Sequence, residues 1–186
     1  MKKKKVIIVV ICIFVALVIC GVVLFAIFGK KLNAGNKVMG EEGYEYDADG
    51  NIVKSIWYLD SGECQVAEFD TDGNVIKSTT YDAEGNMEGY QEYEYDQDGN
   101  VLKASDYDVD GSYQVTEFTA YGTIKKLLIV ESDGSYTQYD CNALGNNEKI
   151  SRYDSDGNLM SYDVFEYDSQ GAVTDIKSYD KDGNLK

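Results

Sequence analysis

The chain has 186 residues, with 33 acidic and 17 basic side chains, four cysteines, and neither histidine nor proline. Its formal net charge of −16 makes nucleic acid and anionic lipid poor partners, because like charges repel. Histidine is the commonest general acid and base, and Arg152 is the only arginine. The composition therefore predicts a protein that is not an enzyme.

The chain begins with a basic tail, residues 1–5, followed by an uncharged apolar run over residues 6–28. A helix of this length spans roughly 34 Å, enough for the hydrocarbon core of a membrane. We expect an uncleaved transmembrane helix, because a cleaved signal peptide usually has a shorter apolar stretch. A lipoprotein processed at Cys20 is the alternative, although Ile19 is the wrong residue before such a site.

Lysines flank this segment on both sides, with more of them before it than after it. The positive-inside rule then favours a cytoplasmic N-terminus. Residues 29–42 are predicted to be a linker, and residues 43–186 a domain on the outside of the cell. That domain has ten basic and 31 acidic residues, so its net charge is about −21. Cations, cationic polymers and basic protein surfaces are better partners for it than polyanions.

One short sequence motif, the turn phrase, recurs twelve times after the linker. It consists of an aromatic or apolar residue, a second residue that is usually Asp, two further residues and a Gly. The spacing between successive glycines is 11, 12 or 14 residues, which indicates a repeat protein. These glycines are Gly50, Gly62, Gly73, Gly85, Gly99, Gly111, Gly122, Gly134, Gly145, Gly157, Gly171 and Gly183.

The phrase predicts a β-hairpin turn. Asp suits the first position of a type I turn. Gly suits the fourth position, because that residue adopts a left-handed conformation and forms a β-bulge. The residue four before each Gly then pairs with the residue two after it, as in Tyr46 with Ile52, Tyr95 with Val101, and Tyr167 with Val173. We therefore predict an all-β fold: an antiparallel β-hairpin repeat sheet, a meander or spiral of about 12 strands, after one N-terminal transmembrane helix.

Strand residues alternate between two faces, so a spacing of 11 residues would swap the face. Bulges or unlike turns are expected in the three short spacings: from Gly62 to Gly73, from Gly111 to Gly122, and from Gly134 to Gly145. Cys64 and Cys141 fall about seven strands apart, too far to bridge in a simple meander, although winding of the sheet would bring them closer.

The phrase resembles the YD-repeat family of bacterial Rhs proteins and teneurins, over about residues 43–186. The matching stretches are Tyr46-Asp47-Ala48-Asp49-Gly50-Asn51, Tyr95-Asp96-Gln97-Asp98-Gly99-Asn100 and Tyr153-Asp154-Ser155-Asp156-Gly157-Asn158. The resemblance implies antiparallel strands that spiral into a hollow shell, often around a toxin, and it implies carbohydrate binding. The two-strand unit is also similar to bacterial MORN-type repeats, which leaves the winding open.

Two candidate sites emerge. Asp106, Asp108, Asp110 and Glu117 match the calcium-loop pattern D-x-D-x-D-G-x5-E, but strands rather than helices flank them. The residue preferences of β-turns also account for this Asp-x-Asp-Gly pattern, and weak binding of calcium by such turns is the alternative. Trp57, the lone tryptophan, lies on the opposite face from Ile56 and Tyr58 and is either a core residue or an exposed binding contact.

These features predict a membrane-anchored, cell-surface repeat protein without catalysis or a bound cofactor, which presents an acidic sheet to a cell-wall polymer, glycan or protein. A purely structural spacer is the first alternative. An immunity or regulatory partner of a secreted toxin is the second, and it rests on the family resemblance.

Overall fold

The computed structural model describes residues 43–186, which form a single antiparallel sheet of twelve strands in chain order. Each strand contacts only the strands before and after it in the sequence, so the sheet is a meander. The predicted all-β fold and the number of strands are confirmed. The strands are β1 (Gly43–Tyr46), β2 (Ile52–Tyr58), β3 (Cys64–Phe69), β4 (Val75–Tyr81), β5 (Met87–Tyr95), β6 (Val101–Asp108), β7 (Tyr113–Phe118), β8 (Ile124–Val130), β9 (Tyr136–Cys141), β10 (Asn147–Tyr153), β11 (Leu159–Tyr167) and β12 (Val173–Asp180).

The basic tail, the predicted transmembrane helix at residues 6–28 and the linker lie outside the described residues. Residues 43–186 are built of strands and turns and contain no apolar helix of membrane-spanning length.

The twelve turns share one backbone geometry, and Gly50 represents them. Its N–H donates to the carbonyl of Asp47 at 3.2 Å, while the N–H of Asp47 donates to the carbonyl of Asn51 at 2.9 Å. Gly50 has a φ of +89°, where a Cβ would clash with the backbone, and the twelve turn glycines range from 76° to 92°. The predicted turn, closed by a left-handed glycine, is confirmed.

A side-chain clasp reinforces half of these turns. Asp47 Oδ1 accepts hydrogen bonds from the N–H groups of Asp49 at 2.9 Å and of Asn51 at 2.8 Å, and Asn51 Nδ2 donates to Asp47 Oδ2 at 2.9 Å. The Asn51 side chain and the backbone donors thereby lower the pKa of Asp47. The Asn after the turn Gly thus serves to hold the turn. The same clasp joins Asp70 to Asn74, Asp82 to Asn86, Asp96 to Asn100, Asp154 to Asn158, and Asp180 to Asn184.

The predicted cross-strand pairs are also present: Tyr46 lies opposite Ile52, Tyr95 opposite Val101, and Tyr167 opposite Val173. The strand register shifts by one residue at each of these junctions, which is a β-bulge. Three junctions pair without a shift, and they are the turns that open the three 11-residue spacings. The missing shift compensates for the odd spacing. The three junctions thus differ from the others in lacking the bulge and not in the type of turn, so the prediction of bulges or unlike turns there is wrong. These unshifted pairs are Tyr58 with Cys64, Tyr107 with Tyr113, and Val130 with Tyr136.

The described residues form a single layer. Among them only Ala67, Tyr93 and Leu127 are buried apolar residues. A sheet packed against a second layer would bury one whole face. Both faces of this sheet are therefore accessible over much of their area within residues 43–186.

Cys64 and Cys141 are free thiols. They lie in β3 and β9, six strands apart in the meander. Burial raises the pKa of Cys141 to about 11, so this thiol is a poor nucleophile at neutral pH.

Candidate functional site

The pairing of the strands sorts the side chains onto two faces with different chemistry. On one face, which we name the charged face, acids and bases alternate from strand to strand. One such row runs Lys54, Glu68, Lys77, Glu92, and a second runs Glu94, Lys103, Glu117, Lys126, Asp140, Lys149. Side chains directly opposite each other attract, so these rows favour the observed register.

Tyrosines form a third row on the charged face. Tyr90 stacks on Tyr107 with ring centroids 4.6 Å apart, and Tyr136 stacks on Tyr153 at 4.4 Å. The ammonium of Lys77 lies 4.2 Å from the centroid of the Tyr90 ring. Neighbouring rings and the lysine cover the ring faces, which a sugar would need for stacking. The tyrosine row therefore stabilises the sheet and is a poor platform for a ligand.

A shallow depression of about 290 Å³ includes Lys77, Glu92, Glu94 and Lys103 in its lining. These charges already pair with one another: Lys77 Nζ lies 3.3 Å from Glu92 Oε1, and Lys103 Nζ lies 2.9 Å from Glu94 Oε1. A charged ligand would have to break both pairs. The depression is therefore a weaker candidate than the opposite face.

The opposite face of β2–β5, which we name the neutral face, carries no charged side chain. Its central row runs Ser55, Ala67, Ser78, Gln91, and the neighbouring row runs Trp57, Gln65, Thr80, Gly89, with Tyr93 beside Gln91 in β5. The first three residues of the central row are small and at least nine-tenths buried. The neutral face thus combines a floor of small residues with amide, hydroxyl and aromatic groups.

Most polar groups of the neutral face have partners within it. Gln65 Nε2 donates to Ser78 Oγ at 3.0 Å, and the Tyr93 hydroxyl donates to Gln91 Oε1 at 2.8 Å. Ser55 differs from its neighbours, because its Oγ is buried without a hydrogen-bond partner and the residue is only 5% exposed. A buried hydroxyl without a partner is unusual in a folded protein, and a function is one reason for keeping it.

Trp57 lies on the neutral face next to Ser55 in β2, opposite Gln65 in β3. It is 41% exposed. Of the two predicted environments, core or exposed contact, the structure places it in the exposed one. The prediction that it faces away from Ile56 and Tyr58 is confirmed.

The four predicted calcium ligands do not converge. Asp106 lies on the same face as Gln91, and its burial raises its pKa, whereas Glu117 pairs with Lys103 on the charged face. Asp108 ends β6, and Asp110 lies in the following turn, where its Oδ1 accepts from the Ser112 N–H at 2.8 Å. Residues 43–186 contain no group of three or more carboxylate, thiol or imidazole side chains arranged around a common point. Weak calcium binding by a turn stays a prediction.

The sequence reasoning missed Ser55, Gln65, Ser78 and Gln91. A signal for them was available: within β2–β5 each charged residue stands at the alternate positions that place it on the charged face. Once the strands are placed, this alternation marks the other face as neutral. The missing partner of Ser55 has no such signal, since it depends on what surrounds the hydroxyl.

Neither a protein-family model nor a curated protein matches this sequence significantly. Among solved structures, the chain is similar to part of the Photorhabdus luminescens Tc holotoxin pore, with 13% identity and a TM-score of 0.32, over 78% of this chain and 9% of that one. It is also similar to a porin-like protein from Bacteroides uniformis, with 16% identity and a TM-score of 0.31, over 68% of this chain and 53% of that one. The chain thus spans about half or less of the length of these two structures. Similarities this low carry no argument about function.

Proposed function

We propose that the protein is a membrane-anchored, non-catalytic binding protein of the cell surface, with a cytoplasmic N-terminus and the repeat sheet outside. Its partner is a cell-wall polymer, a glycan or a protein. The observation that supports this proposal best is the neutral face of β2–β5, which is uncharged in a domain of strongly acidic composition.

The distribution of charge gives the reason. Ion pairs and acidic turns make the charged face and the turns easy to hydrate, and they keep the protein soluble. A neutral face with an accessible indole loses less hydration free energy when a partner covers it. Binding to the neutral face therefore costs less than binding to the charged face of the same strands.

Retention of the full-length protein, in detergent, on cell-wall and glycan matrices tests this function. We expect saturable retention that is lost in Trp57→Ala. Tyr121→Ala is the matched control, because Tyr121 is 95% exposed and lies in a turn. Equal loss in both variants, or no retention of the wild type on cell-wall, glycan and protein matrices, would refute the proposal.

The orientation has its own test. We expect protease added to intact cells to remove residues 43–186, because these would lie outside. Protection of the domain, with digestion only after lysis, would place it in the cytoplasm instead.

A purely structural spacer is the second candidate, favoured by the uniform backbone of the twelve turns. Twelve strands at about 4.8 Å spacing extend over roughly 53 Å. The same turns, with an aromatic residue four before most of the glycines, support the proposal that the domain is a short relative of YD-repeat proteins. A spacer would tolerate Trp57→Ala without loss of function, which separates it from a binding module.

A further inference from the structure

We propose that the outer edge of β12 binds a second copy of this chain, strand against strand, to form a symmetric antiparallel dimer. This interaction is separate from the binding function proposed above and does not depend on it. Three properties of β12 support it: an open backbone edge, a like-charge pair beside that edge, and a sequence that complements itself.

The backbone of β12 is paired along its full length on one side only, where it meets β11. On the other side, which we name the outer edge, a short piece of chain covers the end of the strand. Leu185 pairs with Tyr179, and the N–H of Lys186 donates to the carbonyl of Ser178 at 2.9 Å. Among residues 43–186, no strand pairs with the rest of the outer edge.

Residues 173–177 therefore form the open part of the outer edge. Ser178 turns its carbonyl outward, and the backbone groups of an antiparallel strand alternate in direction, so Thr174 and Ile176 also turn outward. The N–H of Ile176 agrees with this direction, because it donates to Asp175 Oδ1 at 2.9 Å. The carbonyl of an added strand can replace that side-chain oxygen. An open row of backbone groups is a template for a further strand.

The second property is the charge beside the open edge. Glu166 in β11 lies directly opposite Asp175 in β12, and like charges in that position destabilise a sheet. Both carboxylates share one ammonium, since Lys177 Nζ pairs with Glu166 Oε1 and lies 3.9 Å from Asp175 Oδ2. Within the described part of the chain, neither carboxylate has another ion pair. A second ammonium opposite Asp175 would relieve this repulsion.

The third property is that β12 supplies this ammonium when it pairs with itself. Outward-turned residues lie opposite outward-turned residues in such a pair, which leaves three registers near the middle of the strand. A pair centred on Asp175 brings two carboxylates together, and one centred on Lys177 brings two ammonium groups together. A pair centred on Ile176 places Asp175 of each copy opposite Lys177 of the other. Charge therefore selects the register centred on Ile176.

The same register is favourable at its ends. Val173 lies opposite Tyr179 of the second copy, which is the combination of β-branched and aromatic residues that stabilises cross-strand pairs. The second copy then occupies the place of Leu185 and Lys186, which have to leave the edge. Leu185 is 66% exposed, so little apolar contact is lost when it leaves.

Sedimentation equilibrium of the full-length protein in density-matched detergent measures the association. We expect a dimer for the wild type and roughly tenfold weaker association in Asp175→Lys, because two attractive pairs across the axis become repulsive. The double variant Asp175→Lys, Lys177→Asp has opposite charges across the axis again and should recover the wild-type affinity. Asp72→Lys is the matched control, since it makes the same change of charge in an exposed turn between β3 and β4.

Three results of this measurement overturn the proposal. The first is a wild type that remains monomeric at every concentration. The second is an equal weakening in Asp175→Lys and Asp72→Lys, because the effect would then come from net charge. The third is a double variant that associates no better than Asp175→Lys.

A covalent test checks the register. The Cα atoms of the two Ile176 residues would lie about 5.5 Å apart, a separation that a disulfide can bridge. Ile176→Cys should therefore give a covalent dimer on mild oxidation, above the background of the wild type. Thr174→Cys should not, because its two copies would lie roughly 14 Å apart. Equal crosslinking of both variants, or of neither, refutes the register.

Removal of residues 185–186 gives an independent check. These residues lie on the outer edge, so the shortened protein should form the dimer more tightly than the wild type. Unchanged or weaker association of the shortened protein would contradict pairing at this edge.

Discussion

Replacing Ser55 by alanine should make the protein more stable, although most substitutions of buried residues do the opposite. Ser55 Oγ has lost its hydration and gained no hydrogen bond in return. Burial of such a hydroxyl costs about 1–3 kcal/mol, and alanine removes that cost with a small loss of packing. We expect a net gain of about 1 kcal/mol, which for a domain of this size raises the Tm by about 2–4 °C.

Ser78→Ala is the internal comparison. Ser78 lies in the same central row with similar burial, but its Oγ accepts a hydrogen bond from Gln65 at 3.0 Å. Its removal leaves the amide without this partner and should destabilise the protein by about 0.5–1.5 kcal/mol. Thermal denaturation of the full-length wild type and of both variants, followed by circular dichroism, measures the difference. A loss of stability in Ser55→Ala equal to that in Ser78→Ala would show that Ser55 has a partner in solution.

Three other substitutions test the turns and the charged face. Asn100 donates a hydrogen bond to the carboxylate of Asp96 and lowers its pKa below the usual 3.8. The clasp therefore stabilises the folded protein fully above pH 3.8. This stabilisation is lost as the pH falls through the lowered pKa of Asp96. The Tm difference between wild type and Asn100→Ala should therefore be full at pH 6 and shrink below about pH 3.8; a constant difference would contradict this. Lys103→Glu places like charges opposite each other on two strand pairs and should cost about 0.2–1 kcal/mol for each pair in chemical denaturation. Lys181→Glu, in an exposed turn, is the control and should cost less. In calorimetric titrations with millimolar calcium we expect at most weak heat, unchanged in Glu117→Gln, because that side chain lies on the charged face; saturable binding lost in this variant would restore the complete loop.

The local periodicity was sufficient to predict the strands and turns. Each Gly accounts for a reversal, and the turn predicts the pairing of Tyr95 with Val101, because turn geometry relates residues only a few positions apart. Parity also predicts that the three short spacings differ from the others, since a strand residue must keep its face, but it does not predict that the difference is a missing bulge. Local rules of this kind need no knowledge of distant contacts.

The candidate site was harder to predict because it depends on pairing between strands. Ser55, Ala67 and Ser78 share no motif in the sequence. They form one row because of the strand registers, which a bulge shifts between β3 and β4 but not between β2 and β3. The calcium pattern is clear in the sequence but is not a site in the structure. Asp106 and Glu117 have the spacing of a calcium loop, yet the alternation of side chains along β6 and β7 places them on different faces of the sheet.

The amino-acid sequence by itself determined that this protein is a β-hairpin repeat with acidic turns, because a glycine at a fixed distance from an aromatic residue specifies each reversal locally. The tertiary structure alone decided that Ser55, Ala67 and Ser78 lie side by side in one row and that Ser55 Oγ is buried without a partner. Both facts depend on which side chains meet across strands, and that is set by the register of the whole sheet.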